Sequence, residues 1–375
     1  MLKDFLNLDA IKARLVELGQ ALIDQERAQV AIPPYDNADG FWFGGGNLQE
    51  DVDGTLLLTG RYRNFGDSRT GTGAGERGLE LAIFQANSPS GPWEKIKSFS
   101  KSDLKCGGYD VVSIEGSGLI RKSDGSGYVL FVSTEKDRPY PSEIESFQKP
   151  GTGVWSIDTI EADTLDELDA RNVNELLLSN EARDLHIKDP VPYLDGTGEV
   201  HMIYCHHPYS WSSSNTGIAE LNQEEIKVDS LRDFFIQRGT SWDVACTRVT
   251  ERLQLPAIGV LKDAPPMVLY FYDGAECLRR LDDSPLAVKR PRGWSCEEIG
   301  GLAYGLASGM GEVERLSENL PLFTSPKGTG CSRYVSACWT KDGLLATWQQ
   351  SQDDFSQPLV SNFLPMVQVE EILSK

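Results

Sequence analysis

Leu185-His186-Ile187-Lys188-Asp189-Pro190-Val191-Pro192-Tyr193-Leu194-Asp195-Gly196 runs on into Val200-His201-Met202-Ile203-Tyr204-Cys205-His206-His207. The segment reads as a short strand opening on a carboxylate, an Asp-Gly turn, and an apolar strand ending in two histidines. The same pattern occurs four more times. Asp53-Gly54 precedes Leu56-Leu57-Leu58, and Asp124-Gly125 precedes Tyr128-Val129-Leu130-Phe131-Val132. Lys262-Asp263-Ala264 precedes Met267-Val268-Leu269-Tyr270-Phe271-Tyr272, and Asp342-Gly343 precedes Leu344-Leu345-Ala346. Asp39-Gly40 and Asp273-Gly274 fall outside this series. The step between units is about 70 to 80 residues, beyond the ~40–50 of WD40 or kelch repeats.

Each turn is also preceded by an apolar segment: Phe41-Trp42-Phe43, Leu119-Ile120, Val191-Pro192-Tyr193, Leu253-Gln254-Leu255 and Tyr334-Val335-Ser336-Ala337. Five units of up to four antiparallel strands arranged radially make an all-β, five-bladed β-propeller. A pair of β-sandwiches would not give five near-equal steps. The surplus length is expected in loops over residues 64–78 and 137–151 and in the helical-looking stretch 164–179, at a rim where function is commonly carried.

The N-terminal residues differ. Leu6, Leu8, Ile11, Leu15, Leu18, Leu22 and Ile23 are interleaved with charged side chains, which predicts an amphipathic helix. The expected organisation is a helical segment over 1–30 and a catalytic propeller over 31–375. The apolar stripe of the helix either packs on the propeller or forms a homodimer contact.

The 375 residues carry a formal charge of -20, which argues against nucleic acid and an anionic membrane surface. A neutral or cationic ligand suits that field, although a local basic pocket can still hold an anion. The start of the chain has no long apolar run of the secretory kind. The 7 cysteines are scattered without a C-x-x-C pair, so reduced thiols and a cytoplasmic protein are expected. With 4 histidines and no helical pair among them, no metal and no cofactor are expected. Gly71-Thr72-Gly73-Ala74-Gly75 lacks the Gly-Lys-Ser/Thr of a nucleotide loop.

In a propeller the first strand of each blade lines the central channel, so polar residues early in those strands converge. Blade 1 offers Asp36, Asp39 and Asn47, blade 2 Glu115, and blade 3 Asp189. Blade 4 offers Asp243, Arg248 and Arg252, and blade 5 Arg333. Carboxylates held apart on different blades can flank a sugar ring, one protonating the leaving oxygen and one activating water or attacking. A third can raise the acid's pKa by repulsion. Only one of His206 and His207 can face the site, because adjacent strand residues point to opposite faces. Trp242 can stack on a sugar face. Arg333 can hold a carboxylate or phosphate, and a structural ion pair is its alternative.

Lys188-Asp189-Pro190 followed by Asp195-Gly196 resembles the Asp-Pro motif of the five-bladed propeller glycosidases, the group of arabinanases, xylosidases, invertases and mannoside phosphorylases (families 43, 32, 117 and 130). Glu115-Gly116-Ser117-Gly118-Leu119-Ile120 is similar to that group's Glu-Gly-Pro segment. The resemblance implies Asp189 as the pKa-modulating carboxylate and Glu115 as the general acid. Two features depart from it. Glu115 precedes Asp189, whereas the family's glutamate follows its aspartate. Trp42-Phe43-Gly44-Gly45-Gly46-Asn47 has no acid where the base would stand, so Asp243, or Asp39 or Asp36, is expected to serve. The expectation is a glycoside hydrolase acting on a small oligosaccharide. A phosphorylase and a non-catalytic carbohydrate-binding propeller are the alternatives.

Overall fold

The computed structural model describes residues 7–64, 76–149, 151–222, 225–276, 298–308 and 312–374. The 71–75 glycine loop, Cys277 and Cys296 lie outside them. Five antiparallel sheets follow one another along the chain after helix α1 (Leu8–Leu22) and strand β1 (Gln29–Ile32).

Blade 1 contains β2 (Trp42–Gly44), β3 (Leu48–Glu50), β4 (Leu56–Asn64), β5 (Glu76–Ala86) and β6 (Glu94–Ser100). Blade 2 contains β7 (Val111–Arg121), β8 (Tyr128–Lys136), β9 (Val154–Ala162) and β10 (Asn174–Leu178). Blade 3 contains β11 (Leu185–Leu194), β12 (Val200–His207), β13 (Asn215–Asn222) and β14 (Lys227–Ile236). Blade 4 contains β15 (Cys246–Gln254), β16 (Met267–Ala275), β17 (Ile299–Leu306) and β18 (Val313–Arg315). Blade 5 contains β19 (Ser332–Thr340), β20 (Gly343–Gln350), β21 (Leu359–Pro365) and, from the other end of the chain, β1. Helix α2 (Met366–Ser374) follows β21.

The five repeated turns therefore join the first strand of each blade to its second. The second strands read as nearly unbroken apolar runs because both of their faces are covered. Every residue of β8, β12, β16 and β20 is buried. Their side chains feed five apolar clusters, one at each blade junction. Leu81 and Leu130 meet between blades 1 and 2, Phe131 and Met202 between 2 and 3, and Ile203 and Tyr270 between 3 and 4. Phe271 and Trp348 share the cluster between blades 4 and 5, and Leu345 and Phe43 the one between 5 and 1.

Pairing of β1 with β21, Gln29 opposite Ser361 and Val30 opposite Val360, closes the ring with both ends of the chain. Gln25 reinforces the closure: its amide donates to Ser332 Oγ, and its Oε1 accepts from Trp348 Nε1 and Gln350 Nε2. The boundary expected near residue 30 falls inside β1. The apolar stripe of α1, namely Ile11, Leu15, Leu18 and Leu22, is buried against blades 4 and 5 and α2. That stripe is used within the chain, so it is not left open for a second copy. The stretch 164–179 is not a long helix either. It holds one 3-10 turn at Ala170–Asn172 and then β10, the outer strand of blade 2. Among the described residues no helix is long and apolar enough to cross a membrane.

Leu18 is fully buried in the cluster that α1 shares with blades 4 and 5. Leu18→Ala should lower the unfolding free energy by about 3 kcal/mol, read from urea denaturation. A change within a few tenths of that of a surface substitution would mean that α1 is not part of the core.

Candidate active site

Each first strand is interrupted where it passes the channel. The register of β7 against β8 slips between Ile114 and Ser117, and that of β11 against β12 between Lys188 and Val191. The corresponding slips are Val249 to Glu251 in blade 4 and Arg333 to Ser336 in blade 5. In blade 1 the first strand is split outright into β2 and β3, both pairing with β4. A bulge bends a strand and re-aims its side chains. The first residues of the five breaks are Gly45, Glu115, Asp189, Thr250 and Tyr334. Gly45, Asp189, Thr250 and Tyr334, with Gly116 in blade 2, line one cavity on the axis. Asp189 and Tyr334 both have φ 53, a left-handed conformation uncommon for residues with a side chain and concentrated at functional sites.

Asp189 is 5% exposed and held on both oxygens. Oδ1 accepts from the Gly116 amide at 3.1 Å and Oδ2 from Arg248 Nη1 at 3.2 Å. Gly116 must lack a side chain there, since a Cβ would stand 2.5 Å from Asp189 Oδ1. Arg248, 2% exposed, gathers two further carboxylates. Its Nη2 lies 2.7 Å from Asp273 Oδ2 and 3.0 Å from Glu298 Oε2. Its guanidinium lies 4.2 Å from the centroid of the Tyr334 ring. Asp273 also accepts from the Tyr334 amide, and Glu298 pairs with Arg333 as well.

Glu115 is less enclosed, its side chain 14% exposed. Its Oε1 accepts from Ser113 Oγ at 2.8 Å, and its Oε2 is 3.5 Å from Arg61 Nη2. Arg61 in turn donates to the Gly44 carbonyl and to Tyr334 Oη. Burial works to raise the Glu115 pKa, but Lys188, Arg61 and Arg77 outweigh it and bring it down to about 2. Asp273 moves the other way. Burial and the nearby Glu298 push it up to about 6 against the pull of Arg248.

This architecture is shared with solved structures. The α-L-arabinofuranosidase of Lactobacillus brevis superposes with a TM-score of 0.55 at 11% identity, covering 92% of this chain and 93% of that one. The β-xylosidase RS223 gives 0.53 at 9% identity, covering 90% and 95%. The GH43_1 enzyme of Xanthomonas citri complexed with xylotriose gives 0.51 at 10%, covering 94% and 93%. The fold is that of the family 43 glycoside hydrolases. No family model and no curated protein matches the sequence.

Within that family 43 fold, the residues singled out from sequence divide into three groups. Glu115, Asp189, Arg248 and Arg333 come together around Tyr334. Asn47 lines the same cavity and spends its amide on a cross-link: Oδ1 accepts from the Leu119 amide and Nδ2 donates to the Leu119 carbonyl. His207 faces the junction of blades 2 and 3, 4.9 Å from the His186 ring, with its Nδ1 donating to the Trp211 carbonyl. Burial, with Lys188 nearby, holds His186 and His207 well below the ordinary histidine range, so both are neutral.

The others stand elsewhere. Asp243 is fully buried and paired with Arg315 Nε at 2.8 Å, against the outer strand of blade 4. A carboxylate in that position has no access to water in the channel, which corrects its expected role as base. Trp242 is fully buried in the cluster between blades 3 and 4, its indole donating to the Ser317 carbonyl, and presents no face to a sugar. His206 is turned away from His207, towards Asp184 and Asp233. Asp36 and Asp39 lie in the loop before β2, outside the cavity on the axis.

Arg61, Arg63, Asp273, Glu298 and Tyr334 belong to the site without being singled out by the sequence reading. Arg61, Arg63 and Asp273 sit at the ends of second strands and Glu298 just before a third, all at the funnel end of their blades. The signal that marks them is a charged residue closing an otherwise apolar second strand, as Asp273 does after Met267–Tyr272.

Removing the Arg248 guanidinium leaves Asp189, Asp273 and Glu298 without their shared partner. Arg248→Met should cost about 3–5 kcal/mol in urea unfolding, as expected when one member of a buried ion cluster is lost. Adding Asp273→Asn should recover part of it. A loss below about 1 kcal/mol, the value of a surface pair, would show that Arg248 is not the hub.

Proposed function

We propose that the protein is a glycoside hydrolase whose reaction takes place at the five strand breaks, next to Glu115 and Asp189. The observation that carries this reading is the equivalence of these two carboxylates. They are the first residues of corresponding breaks in adjacent blades, joined by the Gly116 amide, in a fold shared with family 43 enzymes. The neighbouring rings suit a polyhydroxylated ligand. Among the described residues, His186 Nε2 and Trp155 Nε1 are buried without partners in rings 4.0 Å apart, offering polar atoms to a hydroxyl.

The roles follow from the electrostatics. Asp189 is pinned by Gly116 and Arg248, so it orients and tunes rather than moves. Glu115 is ionised at neutral pH, since its pKa lies at about 2. A resting general acid needs a raised pKa. The acid role expected for Glu115 therefore gives way to that of a base activating water, or of a nucleophile at the anomeric carbon. The leaving oxygen then takes its proton from a solvent water, whose hydroxide is neutralised by the proton that Glu115 removes from the attacking water. Asp273 has the raised pKa but is fully buried beneath Arg248 and Tyr334, so it is out of reach of a substrate.

The solved Xanthomonas citri enzyme holds xylotriose, which makes pentose substrates the first to test. Release of 4-nitrophenol from aryl xylosides and arabinofuranosides, and cleavage of xylotriose, should be detected for the wild-type protein. Glu115→Gln and Asp189→Asn should each lower kcat by about 10²–10⁴-fold, with the circular dichroism spectrum retained. Wild-type rates in both variants would contradict the assignment. Sugar binding without turnover in the wild type would instead indicate a carbohydrate-binding propeller.

A further inference from the structure

Arg63, at the funnel end of β4, is 6% exposed, yet its Nε and Nη2 atoms are buried without a partner among the described residues. These two N–H groups lie on one edge of the guanidinium and point the same way. That is the fork which grips two oxygens of a carboxylate or phosphate. The guanidinium carbon is 5.5 Å from the centroid of the Trp42 ring, and Arg61 and Arg333 stand by the same indole at 4.9 and 4.5 Å. Arg333 contributes a third unpartnered N–H. Its Nη1 and Nη2 are held by Glu298 and Gln357, but its Nε is buried without an acceptor among the described residues.

A buried cation without a partner is destabilising, and proteins ordinarily pair it or neutralise it. Arg63 stays charged. Burial is the largest effect on it and, with Arg77, Arg333 and Arg61 adding to it against Glu115, brings its pKa down only to about 10. The protein as a whole carries -20 charges, so a local excess of guanidinium groups at this mouth runs against the bulk field.

We infer that the funnel binds an anionic group, with two of its oxygens gripped by the free edge of Arg63 beside Trp42 and Arg333. This deepens the glycosidase reading and rests on it for the sugar. The anion is either a carboxylate carried by the sugar or a phosphate that takes the place of water as acceptor. Anion binding itself requires no turnover, so it can be measured separately.

Isothermal titration calorimetry at fixed ionic strength tests it, with D-glucuronate, D-galacturonate and inorganic phosphate compared against D-xylose and D-galactose. At least one anion should bind the wild type about tenfold or more tighter than the neutral sugars, and Arg63→Met should lose about tenfold or more of that affinity. Binding of a uronate alone assigns the site to a sugar carboxylate, and binding of phosphate alone assigns it to a phosphate acceptor. Arg63→Lys keeps the charge without the fork and should recover only part of the affinity. In the absence of anion, Arg63→Met should unfold at or above the wild-type temperature, because an unpaired buried charge is gone.

Three results would overturn the inference: no anion binding tighter than the neutral sugars, undiminished binding by Arg63→Met, or full binding by Arg63→Lys with Arg63→Met strongly destabilised. Wild-type turnover in the Glu115 and Asp189 variants would remove the glycosidase reading and leave the anion result standing.

Discussion

The guanidinium of Arg248 is the contact on which the centre of the molecule depends. It reaches Asp189 on blade 3, Asp273 and Glu298 on its own blade, and lies over Tyr334 on blade 5. Three carboxylates around one cation, Asp189 and Asp273 of them buried, can be tolerated only if each keeps other donors. Gly116 serves Asp189, the Tyr334 amide serves Asp273, and Arg333 serves Glu298. Such a cluster is a poor source of net stability but a strong constraint on position. It fixes the breaks of blades 3, 4 and 5 relative to one another, while Arg61 ties Gly44, Glu115 and Tyr334 across blades 1, 2 and 5.

The two hubs account for most of the charged groups at the neck. Asp189 and Glu298 are consumed by structural pairing, and Asp273 is driven towards its neutral form. What remains is the ionised Glu115, partly exposed beside Ser113 and Arg61, and the unpaired edge of Arg63. Stability and function pull in opposite directions here. Replacing the charged cluster with apolar groups would favour the fold and leave nothing to hold a polar ligand.

Much of the fold was legible in the sequence because it is written in turns and strand polarity. The Asp-Gly turns mark where first strands become second strands, and the apolar runs after them mark strands buried on both faces. The blade count follows. Asp189 was legible for the same reason, since Lys188-Asp189-Pro190 stands at a fixed distance before its turn. Asp243 and Trp242 show the limit. They lie just before β15, where chain order places them at the channel, but the chain approaches blade 4 from its outer side and turns them into the blade junction. Arg61, Arg63 and Asp273 mark the other limit. Which face a second-strand residue uses depends on its pairing with a bulged neighbour, and one extra residue reverses the parity. The role of α1 needed the packing as well, because its stripe suits an intramolecular cluster and a dimer contact equally.

Cations of the neck hold Glu115 ionised beside a pinned Asp189. The most direct measurement is the carboxyl carbon resonance of Glu115, in protein labelled with carbon-13 at the glutamate carboxyl, assigned with Glu115→Gln and followed as pH is lowered. The expected midpoint lies far below the ordinary 4.5, at about 2. A midpoint at or above 4.5 would contradict it, and would return Glu115 to the role of a resting acid.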